Sequence, residues 1–473
     1  DRGLMQISLK SPIETLPEET KVAIFNQLKS PKDLAMASLV SKAWQQLAED
    51  PSLWKAQFCR QWKKLTFSTR PTLNSNWKKI YKKRHQILKE VRRNKATLCE
   101  DRCKHDTYQL PGFAASETVK LKVEKKVAFI QVTPGNAQVY FLEEKGCQLV
   151  FDNLKDENSR LIHYLEGHMI QVTQEGSLYR WPLKEPFPSQ PLSRVGNFEE
   201  AYVDQELLIL VLPQRKQFAI FNIEDGLKCY ESPLFRSSIR SLDCRDNQIL
   251  IQCEDGTLYF IKAIRKENAS QNLEPILLEG LFLDPLSKEL VQFDEKRVII
   301  LGKDAGKRLC TVWDAASGKK NFEGSLERES KFHLNSKSKC ITASAYNGEK
   351  LAVGFDKGYV VFYEPTTGKK ITTHSFNLSP VQFLNFDSDQ EHCWVATNPY
   401  YLIKCLNIKD KPETMGAFCS TKQKKKLEDR GAEALKCNLT GIYADERRLA
   451  CCDKEGELDV WDFAKASLPH SHP

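Results

Sequence analysis

LACCDKEGELDVWD, residues 449–462, decides how most of this chain folds. An apolar run, Leu449 to Cys452, stops at the polar turn Asp453-Lys454-Glu455-Gly456. An alternating stretch follows and ends on Trp461. Two extended runs split by a glycine-bearing turn read as a β-hairpin, because glycine supplies the positive φ that tight turns need. The unit recurs upstream as 138–151, 169–181, 207–221, 249–261, 298–313, 351–363 and 393–406. Its copies end on Phe151, Trp181, Phe221, Ile261, Trp313, Tyr363 and Leu406. The steps are 30, 40, 40, 52, 50, 43 and 55 residues.

A lone hairpin is marginal in water, so the repeat has to build something larger. A sheet of four strands, repeated about every 44 residues around an axis, is a β-propeller blade. Another short strand precedes the hairpins, as in SIRSLDCRDNQ (238–248), CITASAYNGEK (340–350) and LTGIYADERR (439–448). It is expected to be the innermost strand of each blade, with Asp246, Asn347 and Asp445 aligned at the turn after it. Eight hairpins predict eight blades. Seven is the alternative, because the first step of 30 residues is short for a blade. Glu117 to Glu124, ETVKLKVE, alternates and precedes the first hairpin, so it is expected to complete the last blade and fasten the ring. The tail 464–473 is expected to be disordered. Two polar stretches, 263–275 and 410–434, read as surface loops.

Trp313-Asp314 and Trp461-Asp462, with the turns WDAASGKK and YEPTTGKK, resemble the WD repeat. The Gly-His pair of that family is missing at its usual place, so the resemblance rests on the period more than on the motif. The implied role is a surface that binds other proteins.

The N-terminal part has a different texture. Leu16 to Phe58 carries apolar residues at helical spacing: Ile24, Phe25 and Leu28, then Leu34, Ala37 and Val40, then Trp44 and Leu47. Thr15 and Glu18 form a capping box with Pro17 at the first helical position. Ser30-Pro31 and Asp50-Pro51 open further helices. Trp54, Phe58 and Trp62 stand at i, i+4 and i+8 of the last. A helical unit this small buries little surface by itself and suits docking on a partner.

Leu16-Pro17, Glu19, Ile24-Phe25, Leu28, Asp33-Leu34, Val40 to Trp44 and Leu53-Trp54 resemble the F-box. Ser41 stands where that family often has Cys. The resemblance implies binding to the Skp adaptor of cullin–RING ubiquitin ligases. Leu16, Pro17, Ile24, Phe25, Leu28, Leu34 and Val40 would make the contact, with Trp44 and Trp54 behind them. Together the two resemblances describe an F-box/WD-type protein that carries substrates to such a ligase and leaves catalysis to partner subunits. The implied compartment is the cytoplasm or nucleus, or the host cytosol if the source is an intracellular bacterium.

Composition agrees with a globular chain: 41% apolar, 28% charged, with no run of 18 apolar residues to span a bilayer. The N-terminal DRGLMQISLK lacks the apolar centre of a signal peptide. The 15 cysteines are odd in number and scattered, which suits buried, reduced thiols. Net charge is +8, yet 60–104 alone carries 15 Lys/Arg against 3 Asp/Glu. A basic run invites nucleic acid. Trp62, Leu65, Trp77, Ile80, Tyr81, Ile87, Leu88 and Val91 interleave with it at helical spacing, which favours helices with one packed face. Cys99, Cys103 and His105 lack a fourth zinc ligand and fit no common spacing.

No catalytic constellation is legible: there is no phosphate-cradling loop, no metal-binding helix and no nucleophile elbow. No cofactor or metal is expected. Arg236, Arg240, Lys337, Lys339 and Lys436 precede innermost strands and so stand at one rim of the channel, where they could hold an acidic or phosphorylated peptide. The expected organisation is therefore a tail (1–12), a helical docking module (13–58), a basic helical linker (59–110), an eight- or seven-bladed WD-like propeller (111–463) and a final tail (464–473). A propeller scaffold with a helical cap and no link to ubiquitin is the competing reading. A nucleic-acid binder using the basic linker is the third.

Overall fold

The computed structural model describes residues 16–61 except 29, 76–86 except 83–84, and most of 104–463. Within the last range the description omits 114–118, 125, 144–145, 154–157, 263–273, 282–289, 303–308, 327–339, 377–379, 387–391, 398–401, 408–413, 419–438 and 446–447. Thr15, Trp62, Cys99, Cys103, Lys337, Lys339, Lys436 and both tails lie outside the described residues. The chain divides into two compact units, 1–93 and 94–473.

The first unit is helical: α1 (Glu18–Asn26), α2 (Pro31–Ala37), α3 (Lys42–Ala48) and α4 (Pro51–Gln61). Local sequence sets each start. Ser30 Oγ accepts from the Asp33 N–H at 3.1 Å, and Pro31 follows at the first helical position. Ser41 Oγ accepts from Trp44 N–H at 3.2 Å. Asp50 Oδ1 accepts from Ser52 N–H at 2.7 Å. Pro17 proves to be the N-cap of α1, one residue before the expected place, with no side-chain cap. Residues 77–82 are helical as well.

The second unit contains eight four-stranded antiparallel sheets among the described residues, one for each hairpin counted in the sequence. In each sheet the first strand in the ring is innermost, since it meets the first strands of neighbouring sheets, as Lys120–Glu124 meets Leu439–Ala444. Second strands are buried on both faces: Leu207–Val211, Gln248–Cys253 and Leu351–Phe355 have no exposed residue. Outer strands are wetter, and Lys320–Ser325 alternates. That gradient explains why the apolar runs of the sequence mark second strands.

Core clusters join consecutive blades. Leu121 and Ile130 of the first blade pack with Ala450 and Leu458 of the last, and six further clusters bridge blades one to seven in turn. Blades seven and eight meet through Trp394 and Phe463, stacked at 5.6 Å. The ring is therefore closed by packing as well as by strand pairing. Close approach also restricts the connecting turns: Gly318 has φ +70°, and a Cβ there would run into the Leu277 carbonyl of the preceding blade.

Three expectations are corrected. The closing strand is Lys104–Gln109, which pairs with Glu457–Asp462 from Lys104↔Asp462 to Gln109↔Glu457. It falls inside the stretch read as helical linker. Lys120–Glu124 is instead the innermost strand of the first blade, paired with Val127–Thr133. Both positions suit an alternating strand, and KHDTYQ has too few apolar residues to stand out because an outer strand has one face in water. The first hairpin was also one strand out of register: 138–151 spans the third and outer strands, whereas the other copies span the second and third. Counted to Phe141, which ends the equivalent hairpin, the step to Trp181 is 40 residues. Finally, Thr414–Phe418, placed in a surface loop, is the outer strand of the seventh blade.

At the turn after the innermost strand, Asn347 Oδ1 accepts from the N–H groups of Glu349 (3.0 Å) and Lys350 (2.8 Å). Asp445 Oδ1 accepts from Arg448 N–H at 2.6 Å. Asp294 makes the same bonds at 2.8 Å to Lys296 and Arg297. Asp246 differs. It and Asn247 adopt φ of 52° and 63°, a turn of another kind.

Candidate functional site

Phe25, Leu34, Leu47, Leu53, Trp54 and Phe58 form the centre of the helical unit. Phe25 meets Trp44 edge-on at 5.3 Å, and Trp54 donates its indole N–H to the Ala48 carbonyl at 2.8 Å. The buried Gln57 donates to the Leu28 carbonyl at 2.6 Å, fixing the turn between α1 and α2 on α4. The basic stretch contributes to this core. Trp77 and Tyr81 are buried in it, edge-on to Phe58 and Trp54 at 5.5 and 5.4 Å. Lys55 and Lys78 lie over the rings of Trp77 and Trp54, and Lys78 is 3.2 Å from Glu49. So the packed-face reading of the basic stretch holds where it is described.

Four large apolar side chains stay outside this core. Ile24 is 40% exposed, Met36 57%, Leu39 76% and Val40 63%. Small soluble units seldom leave neighbouring large side chains in water unless they dock on something. Of the seven adaptor-contact residues expected from the sequence, Pro17, Ile24 and Val40 are exposed, and Leu16 and Leu28 are half-buried. Phe25 and Leu34 are 2% and 0% exposed and hold the module together, so they are removed from the contact surface. Helical spacing selects an apolar side chain without telling the core from an interface. Met36 and Leu39, which are not among the seven, are exposed as well.

On the propeller, Arg236 is exposed and Arg240 half-buried. Arg236 stands near Asp255, whose carboxyl is held below its usual range first by hydrogen bonds from Thr257 and then by the arginine charge. The Arg240 carbonyl accepts from Arg215, which also donates to the Ile239 carbonyl at 2.6 Å and to Glu200 at 2.7 Å. Arg215 thus ties the third blade to the fourth. At the other end of the same innermost strand, Arg245 donates to Gln292 at 3.0 Å, and Gln292 donates to the Ser344 carbonyl at 2.9 Å, linking blades four, five and six. These polar ties serve the ring. Burial pushes the Cys253, Cys310 and Cys452 thiols up to about 12, which keeps them protonated at neutral pH. Among the described residues no three His, Cys, Asp or Glu side chains gather as a metal site would require.

Comparison with known proteins agrees with this division. The F-box-like family model matches residues 13–60. The chain resembles the computationally designed protein Ika8 with a TM-score of 0.51 at 14% identity, over 75% of this chain and 98% of that one, which speaks to the fold alone. The C-terminal WD40 domain of Sif2 gives 0.46 at 10% identity, over 74% and 97%. BamB from Moraxella catarrhalis gives 0.42 at 13%, over 76% and 100%. No curated protein matches.

Proposed function

We propose that this chain, an F-box-like module carried with a WD-like β-propeller, is the substrate-recognition subunit of a Skp–cullin–F-box ubiquitin ligase. One observation carries the reading: the module builds a complete core and still leaves Ile24, Met36, Leu39 and Val40 in water. An adaptor that covers these side chains removes apolar surface at no cost to the module's own packing. The propeller then supplies the surface that holds a target protein. The chain contributes proximity and orientation, and the chemistry belongs to partner subunits. The working compartment on this reading is the cytoplasm or nucleus.

The test is a pull-down with purified Skp adaptor. Wild type should retain it, and Leu39→Glu combined with Val40→Glu should lose it while circular dichroism stays unchanged. Apolar anchors at an interface centre cost about 2 kcal/mol or more when removed. A wild-type chain that never retains the adaptor sinks the ligase reading and leaves the propeller scaffold in its place.

A further inference from the structure

Blade two differs from the others at its outer edge. Its fourth strand, Ser193–Arg194, has two residues, where the outer strands of the other blades have four to seven. It pairs with Ser177 and Leu178 only, so among the described residues no strand covers the third strand, Ser177–Pro182, beyond Leu178. Backbone direction along that third strand follows from two bonds. The Leu178 carbonyl accepts from Leu192 N–H at the outer edge, and Leu183 N–H donates inward to the Gly167 carbonyl. Antiparallel strands alternate, so the N–H and C=O of Arg180 point outward, where a longer fourth strand would have met them. The sequence opposite, PFPSQP (186–191), carries three prolines, which lack a donor and keep the segment from running on as a ladder strand.

Apolar side chains flank this opening on both faces of the sheet. Toward blade one, Phe187 packs on Tyr179 and Trp181 at 4.7 and 4.9 Å and is still 51% exposed. Toward blade three, Leu192 is 41% exposed and approaches Gly226, next to Leu227 at 65%. Residues 177–194 carry Arg180, Lys184 and Arg194 against Glu185.

We propose that this edge is a docking site for an extended segment of a partner protein, which adds to blade two as its missing strand. An outward N–H and C=O in one plane are met by an extended backbone and by little else. The flanking side chains select apolar residues on the incoming strand, and the excess of cations selects acidic ones. The site is independent of adaptor binding.

The probe is a fluorescent hexapeptide of alternating valine and glutamate, titrated into the full chain and read by anisotropy. Saturable binding is expected. Methylating the amide nitrogens of alternate residues, which removes the donors on one edge of the peptide, should weaken it at least about tenfold. Leu227→Glu, on an exposed turn, should do the same without touching the fold. Arg180→Pro removes one N–H at a position where edge strands accept proline. Should that variant not fold, the methylated peptide on wild type carries the test. Equal binding of methylated and unmethylated peptide overturns the proposal, as does no saturable binding up to the solubility limit. A concentration-dependent dimer abolished by Leu227→Glu overturns it too, because a second copy of the chain then occupies the edge.

Discussion

His105 Nε2 lies 2.9 Å from Asp459 Oδ1, across the seam where the first strand of the propeller pairs with its last. The imidazole stacks on Trp461 at 4.7 Å, and Thr107 donates to the same carboxylate oxygen at 2.7 Å. Asp459 is 1% exposed, so this pair gives a buried carboxylate its partners and latches the ring together. His105→Ala removes a bond to a buried charge and a stacked ring. It should cost about 2–4 kcal/mol in urea unfolding. The neighbouring exposed change Gln109→Ala should stay within about 0.5 kcal/mol.

Deleting Lys104–Gln109 opens the Glu457–Asp462 strand on its outer side. An unpaired edge recruits other chains, so the deletion should give concentration-dependent aggregates by light scattering. A soluble monomer with unchanged melting would mean that the seam is held by packing alone.

Glu200 sets an acid limit on blade three. Burial pushes its carboxyl up, but the hydrogen bonds from Arg215 and Tyr202 and the Arg215 charge outweigh this and hold it below the usual range. A depressed carboxyl stabilises the fold above its ordinary pKa, and that stabilisation is lost as pH falls through the lower folded value. Wild type should therefore lose stability on going below about pH 4.5. Glu200→Gln should start lower at neutral pH and show a shallower acid limb. Urea midpoints measured from pH 6 to pH 3 distinguish the two curves.

Ser41 occupies the N-cap of α3 through its bond to Trp44 N–H. Ser41→Ala should cost about 1 kcal/mol, seen as a lower melting temperature of the helical unit. Phe25→Ala should cost about 3–5 kcal/mol by emptying the centre of a small core, and should abolish adaptor retention together with helicity. Leu39→Glu with Val40→Glu should abolish retention alone, which separates surface from core.

Gly318→Ala places a Cβ against the Leu277 carbonyl in a left-handed backbone conformation. The change should cost about 1–3 kcal/mol, more than the same substitution at Gly167, whose Cβ would meet nothing within 4 Å. Equal melting of the two variants would rule out close blade contact at that turn.

The chain alone determined the helical unit, its helix starts at Ser30 and Asp50, and a repeat of hairpins that has to be a ring of sheets. These follow from period and turn chemistry, which act between residues close in sequence. Tertiary structure decided what depends on distant partners. It took Lys104–Gln109 as the closing strand, since only a free edge at Glu457–Asp462 gives that polar segment a reason to be extended. It sent Phe25 and Leu34 inward and left Leu39 and Val40 outward, because helical spacing marks an apolar side chain but packing decides what covers it. It joined His105 to Asp459 across most of the chain, and it left the edge of blade two open at Arg180. A strand reads the same in sequence whether or not its neighbour arrives.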